Sequence, residues 1–140
     1  MAGILSANRD AKIHSGVERE KVVKSAVTLW KGALVALNPA TGLVEPAGPL
    51  ATGVILGIAE KKVIGDGVLT VPIRSGFVEL TFAGAADALT INDIGKKVYA
   101  INDQTVGKTD GTGTRAAAGI LFDIADTGLA VVAVGLSTSV

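Results

Sequence analysis

The sequence predicts an all-β protein: a small β-sandwich or β-barrel-like domain of short hairpins, with an extended N-terminal arm. Three observations predict it. Turn signals built from Gly, Pro, Asn and Asp recur along the chain at about ten-residue spacing, the rhythm of short strands in sandwiches and small barrels. Between them, apolar residues alternate with polar ones, as in FVELTF, where Phe77, Glu79 and Thr81 interleave with Val78, Leu80 and Phe82; a period of two is the strand period. No segment carries a sustained apolar stripe at helical spacing.

Taken in order, Met1 to Lys24 stands apart. It has no regular period, Gly16 interrupts it, and Arg9, Lys12, Arg19, Lys21 and Lys24 outnumber Asp10, Glu18 and Glu20, five against three. This stretch reads as an arm that the globular part, residues 25–140, does not need. Ile4, Leu5, Arg9, Lys12 and Ile13 are its candidate contacts to a neighbouring subunit or another surface.

Val22 to Trp30 opens the β region and Ala33 to Leu37 is the next strand. Asn38-Pro39-Ala40-Thr41-Gly42 turns the chain, because Pro presets φ and Gly takes the left-handed position. Leu43 to Glu45 returns, and the prolines of Pro46 to Pro49 end the ladder. Val54 to Val63 reads as one strand with a bulge at Gly57. Val68 to Arg74 and Phe77 to Phe82 read as a hairpin around Ser75-Gly76, with Pro72 marking an edge strand or a bulge. Ala83 to Leu89 suits a short helical turn. Thr90 to Gly95 reads as a capped turn with Asn92 or Asp93 as the cap.

Two further hairpins follow. Lys97 to Ile101 and Thr105 to Thr109 flank the turn Asn102-Asp103-Gln104, whose Asn and Asp side chains bond their own backbone. Gly119 to Ala125 and Leu129 to Val134 flank Asp126-Thr127-Gly128. The last pair is almost wholly apolar, so it belongs in the core or in a subunit contact.

The totals narrow the possibilities. A 140-residue chain is one domain by size and can bury a real core. Only five residues are aromatic, Trp30, Phe77, Phe82, Tyr99 and Phe122, so Val, Ile, Leu and Ala must fill that core. Thirteen basic and thirteen acidic residues cancel, which leaves no global field to draw in nucleic acid or an acidic membrane. Without cysteine there is no disulfide framework and no thiolate chemistry. The start lacks a basic region followed by a long apolar one, and no apolar run approaches the roughly 20 residues of a membrane helix.

Catalytic motifs are few and poorly placed. Asp126-Thr127-Gly128 is the tripeptide of aspartic proteases, yet only twelve residues follow it, too few for the flap and second strand that chemistry needs; a turn is the better reading. Gly111 to Ala116 matches a loose dinucleotide fingerprint, but the residues before it are polar and no helix follows. His14 is the only histidine and cannot alone make a metal site or a triad. Asp103, Asp110, Asp123 and Asp126 sit at turns without calcium-loop spacing. Lys61-Lys62, Lys96-Lys97 and Arg115 are scattered rather than interleaved with aromatics.

Several stretches together resemble the capsid decoration, or cement, proteins of tailed bacteriophages. They are LWKGALVALNPATGLVEPA (Leu29 to Ala47), GVILGIAEKKV (Gly53 to Val63), LTVPIRSGFVELTF, INDIGKKVYAINDQTV (Ile91 to Val106), KTDGTGTRAAAGILFDIADTGLAVVAV to Val134, and the NRDAK start (Asn8 to Lys12). The likeness spans most of the chain and is carried by turns and small residues. It implies a β-rich protein, not an enzyme, that binds the outside of an assembled head as a homotrimer and clamps neighbouring capsomers. Its partners would be the major capsid protein and itself, with no nucleic acid, membrane or small-molecule substrate and no cofactor. It would be made in the host cytoplasm and reside on the outer surface of the virion. The alternative is a receptor- or glycan-binding module on a phage tail or head fibre, for which one Trp and one Tyr supply few stacking platforms.

Overall fold

The computed structural model describes residues 18–135. These are almost entirely β. Twelve strands run in chain order: β1 (Glu18–Val22), β2 (Thr28–Leu29), β3 (Leu34–Leu37), β4 (Val44–Pro46), β5 (Val54–Ala59), β6 (Val63–Ile64), β7 (Thr70–Arg74), β8 (Gly76–Phe82), β9 (Lys97–Ala100), β10 (Thr105–Gly107), β11 (Ala117–Ile124) and β12 (Ala130–Val134). Two single 3₁₀ turns, Ala85–Asp87 and Ile91–Asp93, link β8 to β9. The strands form an open five-stranded sheet in the order β1-β7-β5-β3-β4, a closed ring β10-β8-β12-β11-β9, and a two-stranded ribbon of β2 and β6.

The ring follows from two local hairpins and one long-range closure. β9 and β10 pair antiparallel across the 101–104 turn, and β11 and β12 pair antiparallel across 125–129. β11 then joins β9, and β12 joins β8, both antiparallel. A ring with an odd number of strands cannot be antiparallel throughout. The parallel junction falls between β10 and β8, where Thr105 and Val106 lie opposite Thr81 and Phe82.

The period of two in the sheet strands divides the core in two. Leu34, Ala36 and Ile55 face the ring and join Leu80, Val98, Val106, Leu121, Val132 and Val134 in one cluster. Val35, Leu56, Val71 and Ile73 face the other way and pack with Val23, Leu29, Val44 and Val63. Every buried apolar residue in the described chain is Val, Ile, Leu or Ala, as the aromatic-poor composition requires. Full burial of one such branched side chain stabilises by about 1.5–3 kcal/mol.

The sheet and the ring meet at a backbone corner, and here the sequence expectation fails. Val68 to Arg74 and Phe77 to Phe82 are not a hairpin. Arg74 pairs with Ile58 in the sheet, while Gly76 pairs with Val134 in the ring, so the chain changes layers at Ser75. Ser75 is buried and its hydroxyl donates to the Leu56 carbonyl at 3.1 Å. The expected bulge at Gly57 is present, with the register slipping between Val35 and Ala36 opposite it. It serves this corner. Gly57 has φ +152°, and a Cβ there would run into the Arg74 carbonyl; a Cβ at Gly135 would meet the Leu56 carbonyl. Two glycines therefore let three backbone segments touch.

Four smaller corrections follow from pairing. Val54 to Val63 is not continuous: β5 ends at Ala59 and Val63–Ile64 pairs separately with β2. β7 is not an edge, because β1 lies along it from Glu18–Arg74 to Val22–Thr70. The Pro72 carbonyl accepts from the Glu60 N–H at 2.9 Å, so the missing proline donor falls on the side where β5 has already ended. The cap of the 91–93 turn is Thr90, whose hydroxyl accepts from the Asn92 N–H, with Asp93 bonding back to the Thr90 N–H. Finally, of residues 18–24, assigned on sequence to the arm, Glu18 to Val22 pair with β7, the Val23 N–H donates to the Leu69 carbonyl and the Lys24 N–H to the Val44 carbonyl, and Val23 is fully buried.

Candidate functional site

The candidate arm contacts Ile4, Leu5, Arg9, Lys12 and Ile13, and with them His14, lie outside the described residues. The motifs weighed on sequence fall at turns. Around Asp126-Thr127-Gly128 the Gly128 N–H donates to the Ala125 carbonyl at 2.8 Å and the Ala125 N–H to the Leu129 carbonyl at 2.8 Å. The glycine loop closes on Asp110, whose carbonyl accepts from the Thr114 and Arg115 N–H groups and whose carboxylate accepts from the Thr112 N–H. Among the described residues no group of three or more His, Cys, Asp or Glu side chains could hold a metal ion.

Two carboxylates, Asp87, which the sequence did not single out, and Asp93, which it offered only as a cap, hold the β8–β9 connection over one end of the ring. Asp87 accepts from the Thr109 N–H at 3.0 Å and the Thr109 hydroxyl at 2.7 Å, and meets the Arg115 guanidinium at 3.0 Å. Asp93 is buried; it accepts from the Thr90 N–H at 2.9 Å and lies 3.6–3.7 Å from the Lys108 and Lys96 ammonium groups. Both carboxyls are held below the usual carboxylate range. For Asp87 the cause is first the Thr109 hydroxyl, then the Thr109 N–H and, less, Arg115; for Asp93 it is first the Thr90 N–H, then Lys108, against an opposing contribution from burial. Their partners are already within the chain, so these groups are structural clamps.

The remaining features of note are surfaces. On the ring, the outward residues of β12, Val131 and Ala133, are half-covered while Ala130, Val132 and Val134 beneath them are fully buried. Ala133 lies between Phe77 of β8 and Ile120 of β11. A bulge between Leu121 and Asp123 re-aims Phe122, and its ring packs against Phe77 with centroids 4.7 Å apart. Phe77 is 60% exposed and Phe122 55%. This pair contributes about 0.5–1.5 kcal/mol beyond area burial, yet most of both rings still faces water.

A second apolar surface lies at the β6–β7 end of the sheet. Ile64, Leu69 and Val68 are exposed, Val68 at 76%, beside a hollow of about 450 Å³ walled by Lys61, Lys62, Val63, Ile64, Leu69 and Thr70. Next to it Lys62 places its ammonium 4.3 Å from the centre of the Trp30 ring. Trp30 is itself 57% exposed and lines a separate hollow with Lys31, Gly32, Ala33, Asp103 and Gln104.

Compared with known proteins, the chain matches no family model, no curated protein and no solved structure. What the described surface offers is contact: apolar patches carried on a closely hydrogen-bonded β body.

Proposed function

We propose that the chain is a structural virion protein that binds the outer surface of a phage head and stabilises the shell by clamping neighbouring capsomers. The major capsid protein would be its partner, and the working unit a homotrimer. The resemblance of Leu29 to Val134 to phage decoration proteins motivates the reading. The observation that carries it is the outward face of β12 with the Phe77–Phe122 pair. A contiguous apolar patch rimmed by polar residues is the mark of a protein–protein contact, and exposed aromatics are the usual anchors of such contacts. Small outward residues such as Ala133 allow close approach. Subunit contacts of this kind bury roughly 1,600 Å² in total.

The test is binding to heads. Light scattering on the protein alone, followed by co-sedimentation with expanded empty heads, should give a trimer that pellets with the heads. Heads so decorated should survive heat or osmotic shock better than bare ones. The double substitution Phe77→Asp and Phe122→Asp should abolish trimer formation or head binding while far-UV circular dichroism stays unchanged. A chain that ignores heads, with bare heads equally robust, would end the proposal.

A further inference from the structure

We infer that the hollow at the β6–β7 end of the sheet receives the Phe77–Phe122 face of a second copy of this chain, so that copies join head to tail. The inference rests on the homotrimer of the proposed function and names the two surfaces that would build it.

A closed trimer sets a geometric condition. Two copies meet through one shared patch only across a twofold axis. A ring of three needs two different patches, each complementary to the other. The chain carries two exposed apolar patches, and they lie at opposite ends of β7: Leu69 precedes that strand and Phe77 follows it. The extended chain between them spans up to roughly 25 Å.

The first patch is built by register. Residues opposite one another in neighbouring strands point to the same face. Phe77 lies opposite Ala133 and Ala133 opposite Ile120, which makes an apolar row. The next outward row is Glu79, Val131 and Asp123. Two exposed carboxylates therefore stand beside the aromatic pair, two strand spacings or about 10 Å apart. Asp123 accepts one backbone N–H, that of Ile124. Among the described residues neither carboxylate is in an ion pair. Lys97, opposite Ile120, is the one cation on the far end of the first row.

The second patch has the opposite sign. Ile64, Val68 and Leu69 are exposed around a hollow of about 450 Å³ whose walls carry Lys61 and Lys62 and no carboxylate. Neither ammonium group is in an ion pair among the described residues. Asp66 folds back onto the Val68 and Leu69 N–H groups at 2.8 and 2.7 Å, Glu20 accepts from the Thr70 hydroxyl at 3.0 Å, and neither lines the hollow.

Clefts of this size take drug-sized molecules, so the hollow has room for the two phenyl rings. Seated there, the rings would be the buried anchors, and Glu79 and Asp123 would meet Lys61 and Lys62 at a polar rim. Face-to-face packing would instead set carboxylate against carboxylate, or ammonium against ammonium. Charge thus selects the head-to-tail arrangement over the symmetric ones.

The test is made on the full chain by light scattering. The pair Phe77→Asp and Phe122→Asp, and the pair Ile64→Asp and Val68→Asp, should each give a monomer where the parent is a trimer, with the circular dichroism of the parent. Mixed in equal amounts, the two variants should form a dimer and stop there, since one intact pair of surfaces remains. The charges are tested on exposed groups alone. Lys61→Glu with Lys62→Glu, and Glu79→Lys with Asp123→Lys, should each weaken the trimer severalfold, and all four reversals in one chain should restore it. An Ile64→Asp and Val68→Asp variant that trimerises like the parent, variants that do not pair on mixing, or reversals that do not compensate would overturn the inference. So would a parent that stays monomeric up to about 1 mM. Co-sedimentation reads head binding separately, so failure of this contact and failure of the proposed function are distinguishable.

Discussion

The ring and the open sheet bury the same kinds of side chain and differ in what happens at their margins. The ring closes through the β10–β8 junction and leaves no free strand edge. The sheet ends in β1 on one side and β4 on the other. Unpaired edges invite pairing with other chains, and proteins guard them with charge, short strands and proline. β1 carries Glu18, Arg19, Glu20 and Lys21, all exposed, and β4 has three residues and stops at Pro46. The ring has no edge to guard, and its outward positions are free to be apolar, as Val131, Ala133, Phe77 and Phe122 are. Closure thus permits the sticky face that an open sheet of this size would carry at the risk of aggregation.

The two regions share a core boundary through β3, where Leu34 and Ala36 face the ring and Val35 faces away. This predicts a single cooperative unit. Leu121→Ala in the ring and Ile73→Ala in the sheet each remove a fully buried side chain and should each cost about 3 kcal/mol. In urea, Trp30 fluorescence and far-UV circular dichroism should give coincident transitions for the parent and for both variants. If Leu121→Ala split the curves, ring and sheet would be separate folding units and the shared boundary would mean little.

How far the sequence revealed this depends on distance along the chain. The β9–β10 and β11–β12 hairpins were legible because their turns are local, built from Asn102 and from Asp126 to Gly128. Ring closure was not, because Gly76 and Val134 pair across about half the described chain and leave no local trace. The false hairpin at Ser75-Gly76 shows the cost: two strands beside a glycine resemble a turn whether or not they pair. Thr90 to Asp93 did carry a signal, since Thr-x-x-Asp is close to a capping-box pattern, and only the assignment of the cap went astray. Asp87 carried none, as its partner Arg115 is 28 residues away. The exposure of Trp30 could not be read from a Trp-Lys-Gly string.

The clamps offer a chemical way to loosen the ring, although acid also reaches the sheet side, where the Leu69 and Val68 N–H groups hold the Asp66 carboxyl below its ordinary range. Asp87 and Asp93 have carboxyl pKa values below the ordinary 3.8. A depressed folded-state pKa means the unfolded chain binds the proton more tightly. The stabilisation is then fully present above the ordinary carboxylate range and is lost as pH falls through the folded-state values. Urea midpoints should hold steady near neutrality and drop on acidification below about pH 4. The double variant Asp87→Asn and Asp93→Asn should be less stable at pH 7 and show a shallower drop. An acid slope identical to the parent's would assign the pH dependence to other carboxylates.

The smallest effect on stability, and the sharpest on the margin itself, belongs to β1. Glu18 meets Arg74 at 3.9 Å with both side chains more than half exposed, so that ion pair contributes within about 0–1 kcal/mol. Arg19 and Lys21 lie opposite Ile73 and Val71, and their charged ends remain in water. Replacing both with valine should leave the urea midpoint nearly unchanged, because valine suits a strand at least as well and no buried partner is lost. What should change is association. With the charges gone, β1 presents an apolar edge, and light scattering should show concentration-dependent growth that the parent lacks. The same two valines placed at Glu79 and Thr81, on the outside of the closed ring, have no free edge to template pairing and should cause less growth. Equal growth from both pairs would mean that apolar area alone drives association, and that closure of the ring confers no protection of its own.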